Sequence, residues 1–240
     1  MTESLSLLME QFETVAREAQ TLAFLPRATE LQLVTRETVS EFLRTLDSQK
    51  QAMVANGDEL AANTILAMEL SLKAVLHELH MWIILKSDTP DEAWDRLVDA
   101  QSACHDALRV RQQLQLESSG LENQLQKLLL LEQLVFPPQM FQSIGGTVAR
   151  QECSICHEAY DECSHIKRRA YQGALCHVII HLADLREISI VSDPANKHCR
   201  ITHFSEGSRM RNKMTWRLEE PNSIKAAPGG SRTPRQIEGS

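Results

Sequence analysis

Residues 153–165 read Cys153-Ser-Ile-Cys156-His157-Glu-Ala-Tyr-Asp-Glu-Cys163-Ser-His165. Cys153 and Cys156 are separated by two residues, a spacing at which a tight turn directs two thiolates to one metal ion. Cys163 and His165 follow as a second pair. Three sulfurs and one imidazole nitrogen suit tetrahedral Zn2+, and four protein ligands leave no position for water or substrate. The stretch therefore predicts a structural zinc site.

Cys176 is the alternative to His165 as the fourth ligand, with His157 and His177 behind it. Reduced cysteines also pack as small apolar side chains, an interpretation that suits Cys104 and Cys199 better than a closely spaced pair. A segment of about 50 residues builds little apolar core. Zinc binding would therefore supply much of its folding free energy, on the order of 10 kcal/mol.

The region before this cluster is predicted to be helical. The chain has 240 residues, of which 42% are apolar and 5% aromatic, a composition typical of packed helices rather than of a β-sandwich or barrel. Apolar residues recur at intervals of three and four. They predict helices over residues 5–25, 29–56, 58–85, from 89 to near 118, and 121–135. Thr89-Pro90-Asp91-Glu92 has the pattern of an N-cap with a capping box.

We therefore expect a mainly α fold. Its parts are an acidic antiparallel helical bundle over 1–136, a linker over 137–151, a small α+β zinc module over 152–205, and a basic, largely disordered tail over 206–240. Within the module, the alternation of Glu187-Ile-Ser-Ile-Val-Ser192 predicts a strand that ends at Asp193-Pro194, with residues 199–204 as its candidate partner.

Charge and leucine spacing suggest possible partners. Residues 1–145 carry 11 basic and 21 acidic side chains, whereas residues 146–240 carry 14 and 11. The basic surplus lies after Asn196 and indicates either a solvated tail or a nucleic-acid contact through its arginines and lysines, namely Arg209, Arg211, Lys213 and Arg217. A self-associating coiled coil is a further alternative, suggested by an imperfect heptad through Leu114, Leu121, Leu125, Leu128, and Leu131 or Leu134.

Two further features bear on metal chemistry and location. His77 and His80 would share one helix face, as ordinary surface histidines or as a second metal site with Cys104 or His105. No signal peptide or run of about 18 apolar residues is present, so we expect a cytoplasmic protein that does not enter a membrane. In that reducing compartment clustered cysteines are metal ligands more often than disulfides.

About 45 residues from Cys153 to Asn196 resemble a Cys/His pattern of uncharacterised bacterial and phage proteins. The end of this pattern, from Glu187 to Asn196, is similar to the E-[VI]-S-[LIV]-V-x-x-P-A-N segment of tailed-phage prohead proteases. In those serine proteases the glutamate of the segment is implicated in the active site, so the resemblance implies a role for Glu187, with Ser143 in a nucleophile-like context. Such a protease also needs a β-rich core before this segment, where this chain has predicted helices.

These features predict a non-enzymatic zinc-binding interaction or adaptor protein. The helical bundle would serve association, including possible homo-oligomers, and the zinc module would bind a protein partner. A nucleic-acid-binding regulator is the first alternative, and a residual phage-type serine protease or zinc hydrolase is the second. The sequence has no phosphate-binding glycine loop, and the adjacent pairs Cys163/His165 and Cys176/His177 do not by themselves make a catalytic dyad.

Overall fold

The computed structural model describes residues 3–221 of the chain, and its fold is mainly α, with about 53% helix. Within that range five α-helices are followed by short and long strands. The helices are α1 Glu3–Leu22, α2 Thr29–Ala55, α3 Glu59–Leu85, α4 Ala93–Gln113 and α5 Ser119–Val135. The strands are β1 Phe141–Cys153, β2 Ala170–Tyr171, β3 Ala174–Leu175, β4 Val178–Val191, β5 His203–Glu206, β6 Arg209–Asn212 and β7 Leu218–Glu219.

The chain divides into two compact units. The helical unit consists of Met1–Glu132 and Arg168–Leu175, and the strand unit consists of Gln133–Lys167 and Cys176–Ser240. The backbone therefore passes from one unit to the other three times. The short excursion Arg168–Leu175 separates His165 from Cys176 along the sequence.

Helix α3 is the centre of the helical unit and packs against α1, α2 and α4. Its residues from Ala61 to Trp82 are mostly buried, because apolar side chains occur on nearly all sides of the helix. Leu46 of α2 and Leu72 of α3 are completely buried in the same core cluster. The helix begins at an N-cap, where the Asp58 carboxylate accepts a hydrogen bond from the Ala61 N–H at 3.0 Å.

Helix α5 is held to α3 by a buried polar cluster around Glu78. The Lys127 Nζ lies 2.6 Å from one carboxylate oxygen, the Trp82 Nε1 donates to the same oxygen at 3.3 Å, and the Gln124 amide donates to the other. These partners offset the cost of burying the carboxylate. Beside them Leu125 and Leu128 are buried, so the central leucines of the predicted coiled coil belong to this unit's own core.

A small hairpin of β2 and β3 completes the helical unit. Gln172 and Gly173 have φ angles of 46° and 75°, the left-handed conformations of a type I′ turn. The side chain of Gln113 on α4 pairs with both backbone polar groups of Ala170, at 2.8 and 2.9 Å. The Gly173 N–H donates to the buried Asn63 Oδ1 at 2.8 Å.

The strand unit contains a long antiparallel ribbon of β1 and β4. Its register runs from Phe141 opposite Val191 to Cys153 opposite Val178, with a bulge beside Gly145 and Gly146. Strands β5, β6 and β7 form a second, separate sheet in that order. Beyond the end of α5 the described residues of this unit contain strands and turns and no helix, so the predicted α+β module is a β module.

Three sequence predictions about this unit need correction. Most of the predicted linker 137–151 is strand β1, because its two glycines do not end the strand. They allow close approach of β4, since a Cβ on Gly146 would lie 2.4 Å from the Asp184 carbonyl oxygen. The strand expected at 187–192 is the end of β4 and pairs with β1. Its predicted partner, residues 199–204, does not pair with it: Arg200 forms an isolated bridge to Phe141, and His203 and Phe204 begin β5.

The predicted tail 206–240 is partly folded, because β6 and β7 lie within it. The remainder of that prediction, residues 222–240, lies outside the described residues. The predicted capping box at Thr89 does not form: residues Pro90–Glu92 make a 3-10 turn, and the Thr89 side chain makes no capping hydrogen bond. In the part of the chain that the structure describes, no helix is both long enough and apolar enough to cross a membrane.

Candidate metal centre

A tight turn at the end of β1 positions the first two cysteines. The His157 N–H donates to the Cys153 carbonyl at 2.9 Å, the Cys153 N–H donates to the Glu158 carbonyl at 2.9 Å, and the Ile155 N–H points to the Cys153 Sγ at 3.4 Å. His157 has a φ of 61° at the position where the chain turns back. Backbone hydrogen bonds therefore direct the Cys153 and Cys156 side chains to the same side of the turn.

The start of β4 brings Cys176 to the same place. The Ser154 N–H donates to the His177 carbonyl at 3.0 Å, and the His177 N–H donates to the Ser154 Oγ at 2.8 Å. These bonds continue the pairing of β1 with β4 by one residue pair beyond Cys153 and Val178. Cys153 and Cys176 are both fully buried, and their Sγ atoms lie 3.7 Å apart.

Cys163 and His165, the second predicted pair, lie in the loop between this turn and the β2–β3 hairpin. The loop is fixed in part by the Lys167 N–H, which donates to the Tyr160 hydroxyl at 3.0 Å. The ligand atoms of Cys153, Cys156, Cys163 and His165 all lie within 4.8 Å of one another. The structure therefore brings together the four residues that the sequence predicted as ligands, and these four form a possible metal site.

The donor set fits a tetrahedral metal. With Zn–S bonds of about 2.3 Å, two sulfurs of a tetrahedron lie about 3.8 Å apart. The distance of 3.7 Å between Cys153 and Cys176 matches that edge. Cys176 Sγ therefore lies at a ligand-like distance from one member of the quartet, Cys153, which makes Cys176 an alternative to His165 as the fourth ligand.

The thiols influence one another electrostatically. Burial, the largest single effect, raises the pKa of Cys153, but hydrogen bonds from the backbone N–H groups of Cys156 and Ile155 and from neighbouring thiols together outweigh burial and lower the pKa to about 6. Burial and the adjacent Cys153 raise the pKa of Cys176 to about 12. Negative charge on one sulfur therefore disfavours charge on the next, an arrangement in which a divalent cation stabilises several thiolates together.

Other cysteines and histidines of the sequence cluster lie elsewhere. Glu152 accepts from His157 Nδ1 at 2.8 Å and lies 2.7 Å from His181 Nε2, and these bonds, that of His157 first, lower the pKa of the Glu152 carboxyl. Cys199 is exposed. The Glu152 grouping was not predicted, because it depends on the ribbon register and on no local spacing.

The histidine pair on α3 does not form a cluster with Cys104. Burial lowers the pKa of His77 to about 4, although Asp99, 3.9 Å away, partly opposes this effect. Cys104 is a packed thiol that donates to the Leu121 carbonyl at 3.3 Å, and burial raises its pKa to about 12. Among the described residues, His77 and His80 do not belong to a group of three or more donors close enough to hold a metal ion.

The residues suggested by the protease resemblance lie on the ribbon. Ser143 is opposite Ser189 and Gly145 is opposite Glu187, so Ser143 and Glu187 share one face. The single histidine of these two strands, His181, is bonded to Glu152. No imidazole of β1 or β4 is therefore placed as a base for Ser143.

The basic residues suggested for nucleic-acid binding are partly engaged in ion pairs. Arg211 donates to both oxygens of Glu206, and its guanidinium lies 5.3 Å from the centre of the Trp216 ring. The Arg209 Nε lies 3.0 Å from Glu220 Oε1. These carboxylates neutralise two of the four charges that the sequence offered to a phosphate backbone.

Comparison of the chain with protein-family models, with curated proteins and with solved structures found no match. The chemistry of the site is therefore inferred from its own donors and their geometry.

Proposed function

We propose that this is a non-enzymatic interaction protein whose strand unit folds around one structural Zn2+ ion. The observation that carries the proposal is the approach of Cys153, Cys156, Cys163 and His165 to within 4.8 Å of one another, with Cys176 beside them. Zinc is favoured over other metals because soft thiolates and an imidazole make a tetrahedral set.

A structural role is favoured because the protein itself supplies enough donors to fill the coordination sphere. A catalytic zinc keeps one position for water or substrate, whereas the four predicted ligands would fill a tetrahedral sphere, with Cys176 as an alternative for the fourth position. When bound, the ion would neutralise the thiolates and cross-link the base of the ribbon to the loop that carries Cys163 and His165. The bonds between Ser154 and His177 hold β1 and β4 together at the ribbon end of that cross-link.

A protein partner is favoured over nucleic acid. The exposed parts of the strand unit include apolar side chains of the ribbon, while Arg209 and Arg211 are already paired with carboxylates. Of these four residues, Lys213 and Arg217 would remain for phosphate contacts, which weakens the nucleic-acid alternative. Cysteine ligands also need a reducing compartment such as the cytoplasm.

The direct test is the zinc content per chain of protein purified without added metal. Wild type is expected to contain one zinc, Cys153→Ser none, and Cys199→Ser, which changes an exposed cysteine outside the cluster, one. Wild-type protein without zinc would overturn the proposal.

The fourth ligand is identified by comparing His165→Ala with Cys176→Ala after replacement of zinc by Co2+, whose absorption spectrum reports the number of bound thiolates. Three thiolates in wild type, with Co2+ affinity lost in His165→Ala alone, identify His165. Four thiolates, with affinity lost in Cys176→Ala alone, identify Cys176.

The kind of partner is tested by titrating the zinc-loaded chain with single- and double-stranded DNA and RNA at several salt concentrations. The interaction-protein proposal predicts no strong binding. Binding that falls steeply with salt and weakens in Lys213→Ala and Arg217→Ala would instead favour the nucleic-acid alternative.

A further inference from the structure

The ribbon of β1 and β4 has one apolar face and one polar face. Ile144 lies opposite Ile188, Gln142 opposite Ile190, Gly146 opposite Leu185, and Val148 opposite Ala183. Because side chains alternate along a strand, five large apolar residues fall on one side. This apolar ribbon face consists of Ile144, Val148, Leu185, Ile188 and Ile190, whereas Ser143, Glu187 and Ser189 lie on the other side.

The apolar ribbon face is open to solvent. The exposed fractions of its five residues range from 37% for Val148 to 70% for Ile188. An open depression of about 410 Å³ lies at the β-bulge beside this face, lined by Ile144, Leu185 and Ile188 of the face together with Arg186 and Glu187. A two-stranded ribbon is only marginally stable in water unless its apolar face packs on something. A contiguous apolar patch of this kind is typical of an interaction site.

We propose that the apolar ribbon face is the self-association surface of this protein, where it packs on the same face of a second copy. A two-fold symmetric contact needs a surface that is complementary to itself, and a stripe of aliphatic side chains meets that condition. The dimer contact would then lie in the strand unit and not in the helical segment that the sequence indicated.

The area supports a dimer. Five aliphatic residues that are more than one-third exposed leave on the order of 500 Å² uncovered per copy, so two copies would together bury about 1,000 Å². That is the lower limit for a specific protein interface. The apolar face of one copy is thus large enough to bind another, without any contribution from the helical unit.

The charge of the ribbon also favours a second copy of this chain as the partner. Over β1 and β4 the charged residues are Arg150, Arg186, Glu152, Asp184 and Glu187, a net charge of −1 with histidine neutral, so little net charge repels a second copy. The chain's own residues 222–240 are a poor match for this face. Their large aliphatic side chains are Ile224 and Ile237, separated by a sequence rich in Pro, Gly and Ser.

The test compares two neighbouring substitutions that add the same charge on opposite faces. Ile188→Glu changes the apolar face, and Ser189→Glu changes the polar face beside it. Sedimentation velocity of the full chain, over a range of concentrations, is expected to show a dimer for wild type and Ser189→Glu and a monomer for Ile188→Glu. The double variant Ile144→Thr/Ile190→Thr, which retains β-branched residues, is expected to weaken the dimer without unfolding the ribbon.

Zinc content, measured on the same samples, separates this inference from the proposed structural zinc. A wild-type monomer containing one zinc per chain would overturn the dimer inference and leave the zinc proposal intact. A dimer that survives both Ile188→Glu and the double threonine variant would also overturn it, because association would then use another surface. Loss of the dimer in Ile188→Glu, with zinc retained, would support it.

Discussion

The two units of this chain are stabilised in different ways. In the helical unit α3 is surrounded by other helices, and large side chains such as Leu46, Leu72 and Trp94 are completely buried. Among the described residues of the strand unit, the buried apolar set is limited to Phe136, Phe141, Cys153, Cys176 and Val178. Two of those five are candidate ligands. One unit is therefore held by its apolar core, and the other, under our proposal, by a metal ion.

The largest expected effect is on the strand unit alone. Cys153→Ser removes a buried ligand, and the loss of zinc binding removes on the order of 10 kcal/mol of folding free energy. Trypsin should then cut rapidly after Arg150 and Arg186 in the ribbon, while the helices remain resistant. Circular dichroism of the same sample should retain most of its helical signal. Cys199→Ser is the control and should be cut no faster than wild type.

The next effect is confined to the helical unit. Leu72→Ala, in the core, should lower the free energy of unfolding of that unit by about 2–5 kcal/mol, because the cavity does not fully collapse. Leu60→Ala, an exposed position on the same helix, should have little effect. Urea unfolding followed by circular dichroism measures both. Zinc content should be unchanged in each variant, and a loss of zinc in Leu72→Ala would contradict the independence of the two units.

Low pH should destabilise the helical unit because His77 becomes protonated. Burial lowers the pKa of His77 in the folded state to about 4 from 6.5, against the opposing effect of Asp99 and with Arg96, His80 and Lys73 lowering it further. The unfolded state therefore binds the proton more tightly. Stability is complete above about pH 6.5 and is lost as the pH falls toward 4, by at most about 3 kcal/mol.

Urea unfolding with chelator present at every pH isolates this effect from metal release. His77→Gln, which cannot be protonated, should flatten the profile between pH 6.5 and 4. An unchanged profile in that variant would assign the acid sensitivity to other groups.

The smallest effect concerns the hairpin that belongs to the helical unit although it lies between candidate ligands in sequence. Asn63→Ala leaves the Gly173 N–H without its acceptor and should cost about 1–3 kcal/mol. Thr64→Ala, at the half-buried neighbouring position, should cost less. Urea unfolding compares the two variants. Equal costs would show that the hairpin contributes nothing to the helical unit.

The parts of this structure that sequence predicted are those specified by short-range spacing. The five helices followed from the three- and four-residue apolar period, although α4 is shorter at both ends than predicted, and the quartet from Cys153 to His165 lies within one short stretch of sequence. Strand β1 was missed because Gly145 and Gly146 usually indicate a break, whereas here they allow the close approach of β4.

The sequence patterns did not predict the long-range contacts. The docking of the hairpin depends on single amide side chains, Asn63 and Gln113, more than 50 residues away from their partners. Neither amide forms a pattern with its neighbours that would indicate such a contact. The approach of Cys176 to Cys153 likewise depends on the register of a strand pair that the sequence did not predict.

Amide hydrogen exchange before and after chelation tests the contrast between the two units most directly. The account predicts that chelation removes protection at the Cys153 and His157 amides and along β1 and β4. Protection should persist in α3 and at the Gly173 amide, which is bonded to Asn63. Unchanged protection along the ribbon after complete metal removal, or equal loss in both units, would contradict it.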